Sequence, residues 1–326
     1  MTISTLIGGC SGTQPKAVNT SNKYPNKPIT MIVPFGVGGA QDLVARIMEK
    51  EVPKFLGQPL VIVNKPGSAG AIGWNELAGS SPDGYTIGIT SVEVLVLPLY
   101  GSSKYNYPTA LQPLAQITSS SWAVAVQAEQ PWQNIDDLIS YAKQHPGIAK
   151  FSHSGVGSFS HILGEMICKD AEITLQQVPF RSANKATTAL LGGHVQVAIV
   201  NPSAVKEHMK NGTVRVLAVT GEQRLADPDF ADVPTLKEQG FNMVYENWFA
   251  IAAPKEIPPE VKAKLVEGLK AMTEDTEFQN NIKSIGSEVK FLGPKETEPK
   301  WLSDNQKLSK IVHETGILDL IKAQKK

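Results

Sequence analysis

Two glycine-rich turns, each followed at once by a helical pattern, have the chemistry to hold an anion. The first turn is Phe35–Gly39, and apolar residues recur at helical spacing from Leu43 onward. The second turn is Ser154–Ser158, where hydroxyl groups accompany the glycines and Ser158 is a candidate helix cap. The first amides of a helix lack intrahelical partners and carry partial positive charge. One such turn would be an ordinary strand-to-helix connection, but two facing one cleft predict an anion-binding site.

Other chemistries fit these turns less well. Gln41 stands where a dinucleotide-binding motif requires its third glycine, and strand two ends in Asn64 and Lys65 instead of an acid for the ribose. No glycine turn continues into the Gly-Lys-Ser/Thr of a P-loop, and the six histidines show no zinc spacing. We therefore predict no cofactor and no metal. Ser154 and His161 are near in sequence and remain open as a nucleophile and base, although no G-x-S-x-G motif surrounds the serine.

The elements that must position the turns are strand and helix pairs. An apolar strand precedes each turn, at residues 29–33 and 149–152, and 326 residues suffice for two α/β domains. Alternating strands and helices predict parallel sheets with helices on both sides. Two extended runs, 122–126 and 243–252, are the predicted crossovers between lobes. We predict a tail at residues 1–23, lobe one at 24–122 plus 249–326, and lobe two at 123–248.

Composition excludes several partner classes. Thirty-one basic and thirty-one acidic side chains cancel, so no overall field favours nucleic acid or an acidic membrane surface. No apolar run approaches the roughly eighteen residues of a spanning helix. The two cysteines, Cys10 and Cys168, do not suggest a disulfide, and Cys168 fits a buried apolar position.

The N-terminal tail carries a possible lipidation signal. The segment Leu6–Cys10 resembles a bacterial lipobox, with small residues before the cysteine that would be acylated. Only Met1–Thr5 precede it, so a full signal peptide would need residues upstream of Met1, and a chance Gly-Gly-Cys is the alternative. The polar segment 11–27 would then serve as a flexible tether.

Ordered blocks from Tyr24 to the C-terminus resemble one family, the extracytoplasmic solute receptors of tripartite tricarboxylate transporters, called TctC or Bug proteins. The matching blocks are Tyr24-Pro25, residues 33–39 with Asp42, Ala45-Arg46, residues 64–67, residues 81–85, Ser154-Gly155-x-Gly157 with His161, residues 190–193, residues 216–220 with Arg224, and residues 233–235. The resemblance implies a two-lobed α/β fold like that of periplasmic binding proteins, with two crossover strands and a central ligand cleft.

The resemblance also assigns ligand-binding roles. Family members hold a carboxylate through loop amides, hydroxyls and ordered waters. The residues carried over are Phe35, Gly36, Val37, Gly38, Gly39 and Asp42 from lobe one, and Ser154, Gly155, Gly157, Ser158 and His161 from lobe two.

Five further residues are candidate cleft residues. Ser91 and Glu93 follow the third strand at its carboxyl end, where ligands of open α/β sheets lie. Glu93 would repel a carboxylate, so it points away, or is simply solvated, or the ligand carries an amino or hydroxyl donor. The remaining candidates are Arg181 for a distal carboxylate, Asn201 at a strand end, and Trp248 for apolar packing.

We therefore predict a receptor that performs no catalysis. It would capture a small carboxylate outside the cytoplasmic membrane and deliver it to the membrane subunits of a tripartite tricarboxylate transporter. We expect a monomer, in the periplasm or anchored at the cell surface through Cys10. The alternatives are an α/β enzyme that uses Ser154 and His161, and a receptor read by a sensor kinase.

Overall fold

The computed structural model describes residues 24–101, 103–180 and 182–324. Within these ranges the chain forms eleven strands. They are β1 (Ile29–Val33), β2 (Leu60–Asn64), β3 (Thr86–Thr90), β4 (Leu111–Ser121), β5 (Ala123–Gln127), β6 (Lys150–His153), β7 (Gln176–Pro179), β8 (Val197–Val200), β9 (Val214–Val219), β10 (Glu246–Pro254) and β11 (Glu288–Leu292).

The helices of the described ranges alternate with these strands. They are α1 (Ala40–Leu56), α2 (Ala71–Ala78), α3 (Glu93–Val96), α4 (Tyr107–Ala110), α5 (Ile135–Gln144), α6 (Phe159–Asp170), α7 (Ala183–Leu191), α8 (Lys206–Lys210), α9 (Pro259–Glu274), α10 (Thr276–Ser284), α11 (Pro294–Glu314) and α12 (Ile317–Gln324). None of these helices combines the length and the apolar character that crossing a bilayer requires.

The first sheet has six strands in the order β11-β4-β10-β3-β1-β2. Strand β1 is parallel to β2 and β3, whereas β10 is antiparallel to both β3 and β4, and β11 is antiparallel to β4. The predicted parallel pairing is confirmed for β1, β2 and β3, but β4, β10 and β11 add antiparallel neighbours to the same sheet. The reason is that β4 leads the chain toward the second sheet and β10 brings it back, so the two must run in opposite directions.

The second sheet has five strands in the order β7-β6-β8-β5-β9. Strand β6 is parallel to β7 and β8, and β5 is antiparallel to β8 and β9. A single residue, Trp122, separates β4 from β5, so the chain passes between the sheets there. It returns between β9 and β10.

Strand β1 is buried on both faces. Met31 and Val33 lie in a core formed with α1 and α9, while Ile32 lies in a second core with Trp74 of α2. This alternation follows from the two-residue period of a strand. Helices therefore cover both faces of the sheet, and the end of β1 is held rigidly where the first glycine turn begins.

Helix α1 packs on β1 through Val44, Met48 and Val52. Pro53 lies inside this helix, which continues to Leu56. It ends at Gly57, whose φ of +70° is left-handed and whose N–H donates to the carbonyl oxygen of Pro53. A glycine reaches this conformation without a Cβ clash, so Gly57 is the stop.

Candidate functional site

The first glycine turn connects β1 to the N-terminus of α1. Gly39 is the N-cap in extended conformation and has no side chain to bond the first amides of the helix. The amide of Gly39 donates to the carbonyl oxygen of Gly36 at 3.3 Å, which closes the turn, and Gly38 has a φ of +80°. Val37 stands at the tip and is 76% exposed. The first-turn amides of α1 therefore remain available for an anion, as the sequence predicts.

Asp42 braces this turn from behind. Its Oδ2 accepts from the amide of Gly38 at 2.9 Å, and its Oδ1 accepts from Asn64 Nδ2 at 2.9 Å. Arg46 Nε lies 3.4 Å from the same Oδ1, and Asn64 also donates to the carbonyl oxygen of Phe35 at 3.1 Å. The carboxylate is 2% exposed and committed to protein donors. Asp42 thus shapes the turn, and the amides around it are what a ligand would meet.

The second glycine turn connects β6 to α6 and is held by three serines, which we call the hydroxyl cluster: Ser154, Ser158 and Ser160. Ser158 is the N-cap predicted from the sequence, and its Oγ accepts from the amide of His161 at 3.4 Å. The Oγ of Ser160 lies 3.0 Å from the Oγ atoms of both Ser154 and Ser158 and accepts from the amide of Ser154 at 3.1 Å. Ser160 therefore links the two ends of the turn.

A stacked pair of histidines lies beneath the second turn. The rings of His153 and His161 are 4.3 Å apart with an interplanar angle of 12°. His161 Nδ1 accepts from the amide of Gly157 at 3.1 Å, and its Nε2 is buried 3.7 Å from Oε1 of Glu165. Ser154 bonds to Ser160, so the hydrogen bonds of His161 and Ser154 do not join them as base and nucleophile.

Burial and the neighbouring ring lower the pKa of His153 to about 4, with its bonds to Gln177 and the Gly155 carbonyl acting in the opposite sense. His153 Nε2 lies 2.7 Å from Gln177 Oε1, and Nδ1 lies 2.9 Å from the Gly155 oxygen. His153 is therefore neutral at pH 7 and supports the turn without adding charge to it.

A buried hydrogen-bond relay connects the two turns. Gln41, in the first turn of α1, donates from Nε2 to Ser91 Oγ at 2.8 Å, and Ser91 donates to Glu93 Oε2 at 2.6 Å. The backbone amide of Phe159, the first residue of α6, lies close enough to the Glu93 carboxylate to lower its pKa. We call Gln41, Ser91, Glu93 and the Phe159 amide the acceptor bridge. The sequence alternative of a solvated Glu93 is wrong, because Glu93 is 8% exposed.

Burial raises the pKa of Glu93, while hydrogen bonds from Ser91 and from the backbone amides of Glu93 and Phe159 lower it; burial dominates. A carboxylate in a dry site loses hydration that hydrogen bonds restore only in part. Glu93 is the charged group of the acceptor bridge.

The second turn also packs directly against elements of the first sheet. A Cβ at Gly157 would lie 2.8 Å from Tyr100 Cε2 and 3.0 Å from Ile321 Cδ1, and its φ is +79°. Only glycine fits this close approach. Tyr100 follows β3 and α3, and Ile321 lies on α12 at the end of the chain, so residues distant in sequence meet at this turn.

Two of the predicted cleft residues, Trp248 and Asn201, make contacts within the protein. Trp248 is 1% exposed; it stacks on Trp301 with centroids 5.8 Å apart and donates from Nε1 to Asp304 Oδ2 at 3.2 Å. Helix α11 therefore covers this face of β10, and the packing of Trp248 on a ligand stays a prediction. Asn201 accepts from Asn247 Nδ2 at 3.2 Å and so connects β8 to β10.

Arg181 and Cys10 lie outside the described residues. Phe35 packs edge-on against Trp74, with centroids 6.0 Å apart, which fixes the start of the first turn. Sequence reasoning missed two site residues, Gln41 and Ser160. Both are polar residues in the first turn of a helix that follows a glycine turn, and that position was the available signal.

Volume alone does not locate the site. A groove of about 580 Å³ is lined by residues 119–121, 221–226 and 288–290 together with Glu246, and it contains neither glycine turn. Among the described residues, Glu51, Asp275 and Glu277 approach one another closely enough to share a metal ion. Lys54 already bonds to two of these carboxylates, at 2.6 and 2.8 Å, which explains the acidic cluster without a metal.

The chain forms two mixed sheets and passes between them twice. A helix that follows a strand of each sheet begins near the acceptor bridge. This arrangement is the two-lobed fold of periplasmic binding proteins. Residues 44–317 match the family described as tripartite tricarboxylate transporter family receptor, TctC. The chain belongs to this family, as the sequence motifs predict.

Individual relatives agree in length and fold. Protein BugT of Bordetella pertussis is 30% identical over 301 residues, which cover 91% of this chain and 92% of the relative. R. palustris Rpa4515, solved with adipate, is 27% identical with a TM-score of 0.83, covering 90% of this chain and 98% of that one. The periplasmic binding protein BugD is 28% identical with a TM-score of 0.80, covering 90% and 99%.

Proposed function

We propose that this protein is an extracytoplasmic solute receptor that captures a small organic acid between two lobes and delivers it to the membrane subunits of a tripartite tricarboxylate transporter. The observation that carries the proposal is the pair of glycine turns, each opening a helix N-terminus, that the acceptor bridge brings together. Family membership supports it, as does adipate, a dicarboxylate, in the R. palustris relative.

The proposed contacts are backbone amides and hydroxyls. The carboxylate would lie on the first-turn amides of α1 and near the hydroxyl cluster, with Phe35 packing beside it. A micromolar dissociation constant corresponds to about 8 kcal/mol, which a few charge-assisted amide bonds and modest packing supply. Closure follows if the closed form makes more ligand contacts than the open one.

The proposed lobes are residues 24–122 plus 249–326 and residues 123–248. Strand pairing supports this division, although β10 already joins the first sheet at Glu246, three residues before the proposed boundary. The proposal includes a monomeric receptor, an extracytoplasmic location, and an anchor at Cys10. The proposed receptor performs no catalysis. In support, the hydroxyl of Ser154 is hydrogen-bonded within the hydroxyl cluster, and Nδ1 of His161 accepts from the Gly157 amide.

A thermal-unfolding screen tests the proposal. Mono-, di- and tricarboxylates are added to the purified protein, with the corresponding neutral amides as controls. A ligand present at a hundred times its dissociation constant stabilises the folded state by about 2.7 kcal/mol. We expect at least one acid, and none of its amides, to raise the unfolding temperature. The same acid should be recovered from the solution chemically unchanged. An absence of stabilisation by every acid contradicts the proposal, and conversion of the acid would indicate an enzyme.

A further inference from the structure

The direction of the acceptor bridge follows from proton counting. A serine hydroxyl has one proton, and with Glu93 ionised Ser91 donates that proton to Oε2 at 2.6 Å. Ser91 must therefore accept from Gln41 at 2.8 Å, which places the amide nitrogen of Gln41 toward Ser91. The amide oxygen Oε1 of Gln41 is then left as a buried acceptor without a hydrogen-bond partner.

The amide oxygen of Gln41 thus lacks a hydrogen-bond donor, whereas the Glu93 carboxylate has a donor in Ser91 but no cationic partner in the ion pairs of the described residues. Gln41 is 5% exposed and Glu93 is 8% exposed. Among the ion pairs of the described residues, none includes Glu93. Buried carboxylates are normally paired with a cation, and buried amide oxygens are normally bonded. A cationic donor would satisfy both needs at once.

The location of these acceptors connects them to the proposed ligand site. Gln41 belongs to the first turn of α1, directly after the first glycine turn, and the Phe159 amide that opens α6 is near enough to Glu93 to lower its pKa. An acid held by the turn amides would therefore have its adjacent carbon close to the acceptor bridge. A second carboxylate at that carbon would face Glu93 and be repelled.

We propose that the ligand is an amino acid, whose carboxylate lies on the glycine turns and whose ammonium donates to Glu93 and to Gln41 Oε1. This inference rests on the proposed function and adds the ligand class. An ammonium fits better than a hydroxyl because it has three protons and a positive charge, so it can bond both acceptors and neutralise the carboxylate. A hydroxyl has one proton and no charge.

The test compares acids that differ at a single carbon. Calorimetry is carried out on the full chain with succinate, malate and aspartate, with adipate and 2-aminoadipate, and with propionate, lactate and alanine. In the series whose length fits the cleft, we expect the amino acid to bind about ten- to a hundredfold more tightly than the unsubstituted acid, the range of charge-assisted hydrogen bonds. The hydroxy acid should resemble the unsubstituted acid.

Two variants test whether the acceptor bridge causes the preference for the amino acid. Glu93→Gln keeps the side-chain shape but removes the charge, and it should reduce the preference for the amino acid, measured as the ratio of its affinity to that of the unsubstituted acid, at least tenfold. Gln41→Met removes the amide and should reduce the same preference, which provides a second reading should Glu93→Gln alter folding. Glu267→Gln, on the exposed face of α9, is the matched control and should leave all affinities unchanged.

The outcomes separate the two proposals. Binding of an acid with equal affinity for its amino, hydroxy and unsubstituted forms overturns the ligand class but leaves the receptor function intact. An unchanged amino preference in both Glu93→Gln and Gln41→Met likewise removes the acceptor bridge from recognition. If no member of any series binds, the proposed receptor function itself fails.

Discussion

Asp42→Asn tests whether the first glycine turn is shaped by the carboxylate behind it. Asp42 receives the Gly38 amide on one oxygen and Asn64 Nδ2 on the other, each at 2.9 Å. An asparagine amide has only one oxygen, so one of these buried donors would face an NH₂ group. An unsatisfied buried donor costs about 1–3 kcal/mol, and the half-exposed contact with Arg46 adds at most about 1 kcal/mol.

We therefore expect Asp42→Asn to lower the free energy of unfolding by about 1–4 kcal/mol and to weaken acid binding at least tenfold, because the turn amides lose their alignment. Urea unfolding measures the first quantity and calorimetry the second. Glu49→Gln is the matched control, since Glu49 also pairs with Arg46, at 3.1 Å, but does not contact the turn; it should cost less than about 1 kcal/mol. Equal stability of Asp42→Asn and the unmodified protein would refute the bracing role.

Three further predictions concern the second turn. Gly157→Ala should lower the free energy of unfolding by about 2–4 kcal/mol and weaken acid binding, because the new Cβ would lie 2.8 Å from Tyr100 Cε2. The control Gly212→Ala has a similar φ of +75° but open space around it, so it should cost only about 1–2 kcal/mol of backbone strain. Equal losses in the two variants would show that the contact with Tyr100 does not contribute. The free energy of unfolding should fall by up to about 3 kcal/mol as the pH drops from about 6.5 to 4. The lowered pKa of His153 keeps the ring neutral in the folded protein over this range, while the same histidine takes up a proton in the unfolded chain. Above pH 6.5 the ring is neutral in both states, so His153 causes no further change in stability with pH. Thermal unfolding of His153→Gln should show a flatter profile over that range, and an unchanged slope would assign it to other groups. Ser160→Ala should reduce acid affinity about five- to tenfold in calorimetry by removing the centre of the hydroxyl cluster, and retained affinity would show that the cluster does not position the ligand.

Local sequence patterns predicted the elements and the turns because their causes are local. The glycine turns and the Ser158 cap follow from residue types within a few positions. Strand pairing depends on the path of the whole chain, so the antiparallel entry of β4 and β10 into the first sheet was missed. The strand patterns contain no information about which neighbour a strand will find.

The roles of polar side chains were harder to predict because burial decides them. Glu93 reads as a solvated or repelling acid in the sequence, yet its partners are Ser91 and a backbone amide that lies 66 positions further along the chain. Trp248 reads as a cleft aromatic, but α11, more than forty residues later, covers it. Each outcome depends on a contact between distant segments, and no local pattern encodes it.

The single residue between β4 and β5 has a mechanical consequence. Because Trp122 is the single residue between β4 and β5, the first connection between the sheets is as short as it can be. In the second connection, Thr220 follows β9 directly, and its Oγ1 donates to the carbonyl oxygen of Tyr245, just before β10, at 2.5 Å. The outward and return paths are joined to each other here, because Thr220 Oγ1 also accepts from the amide of Trp122 at 2.9 Å. In the proposed closure, bending about this shared point would be favoured over sliding, so a single angle would set the gap between the glycine turns.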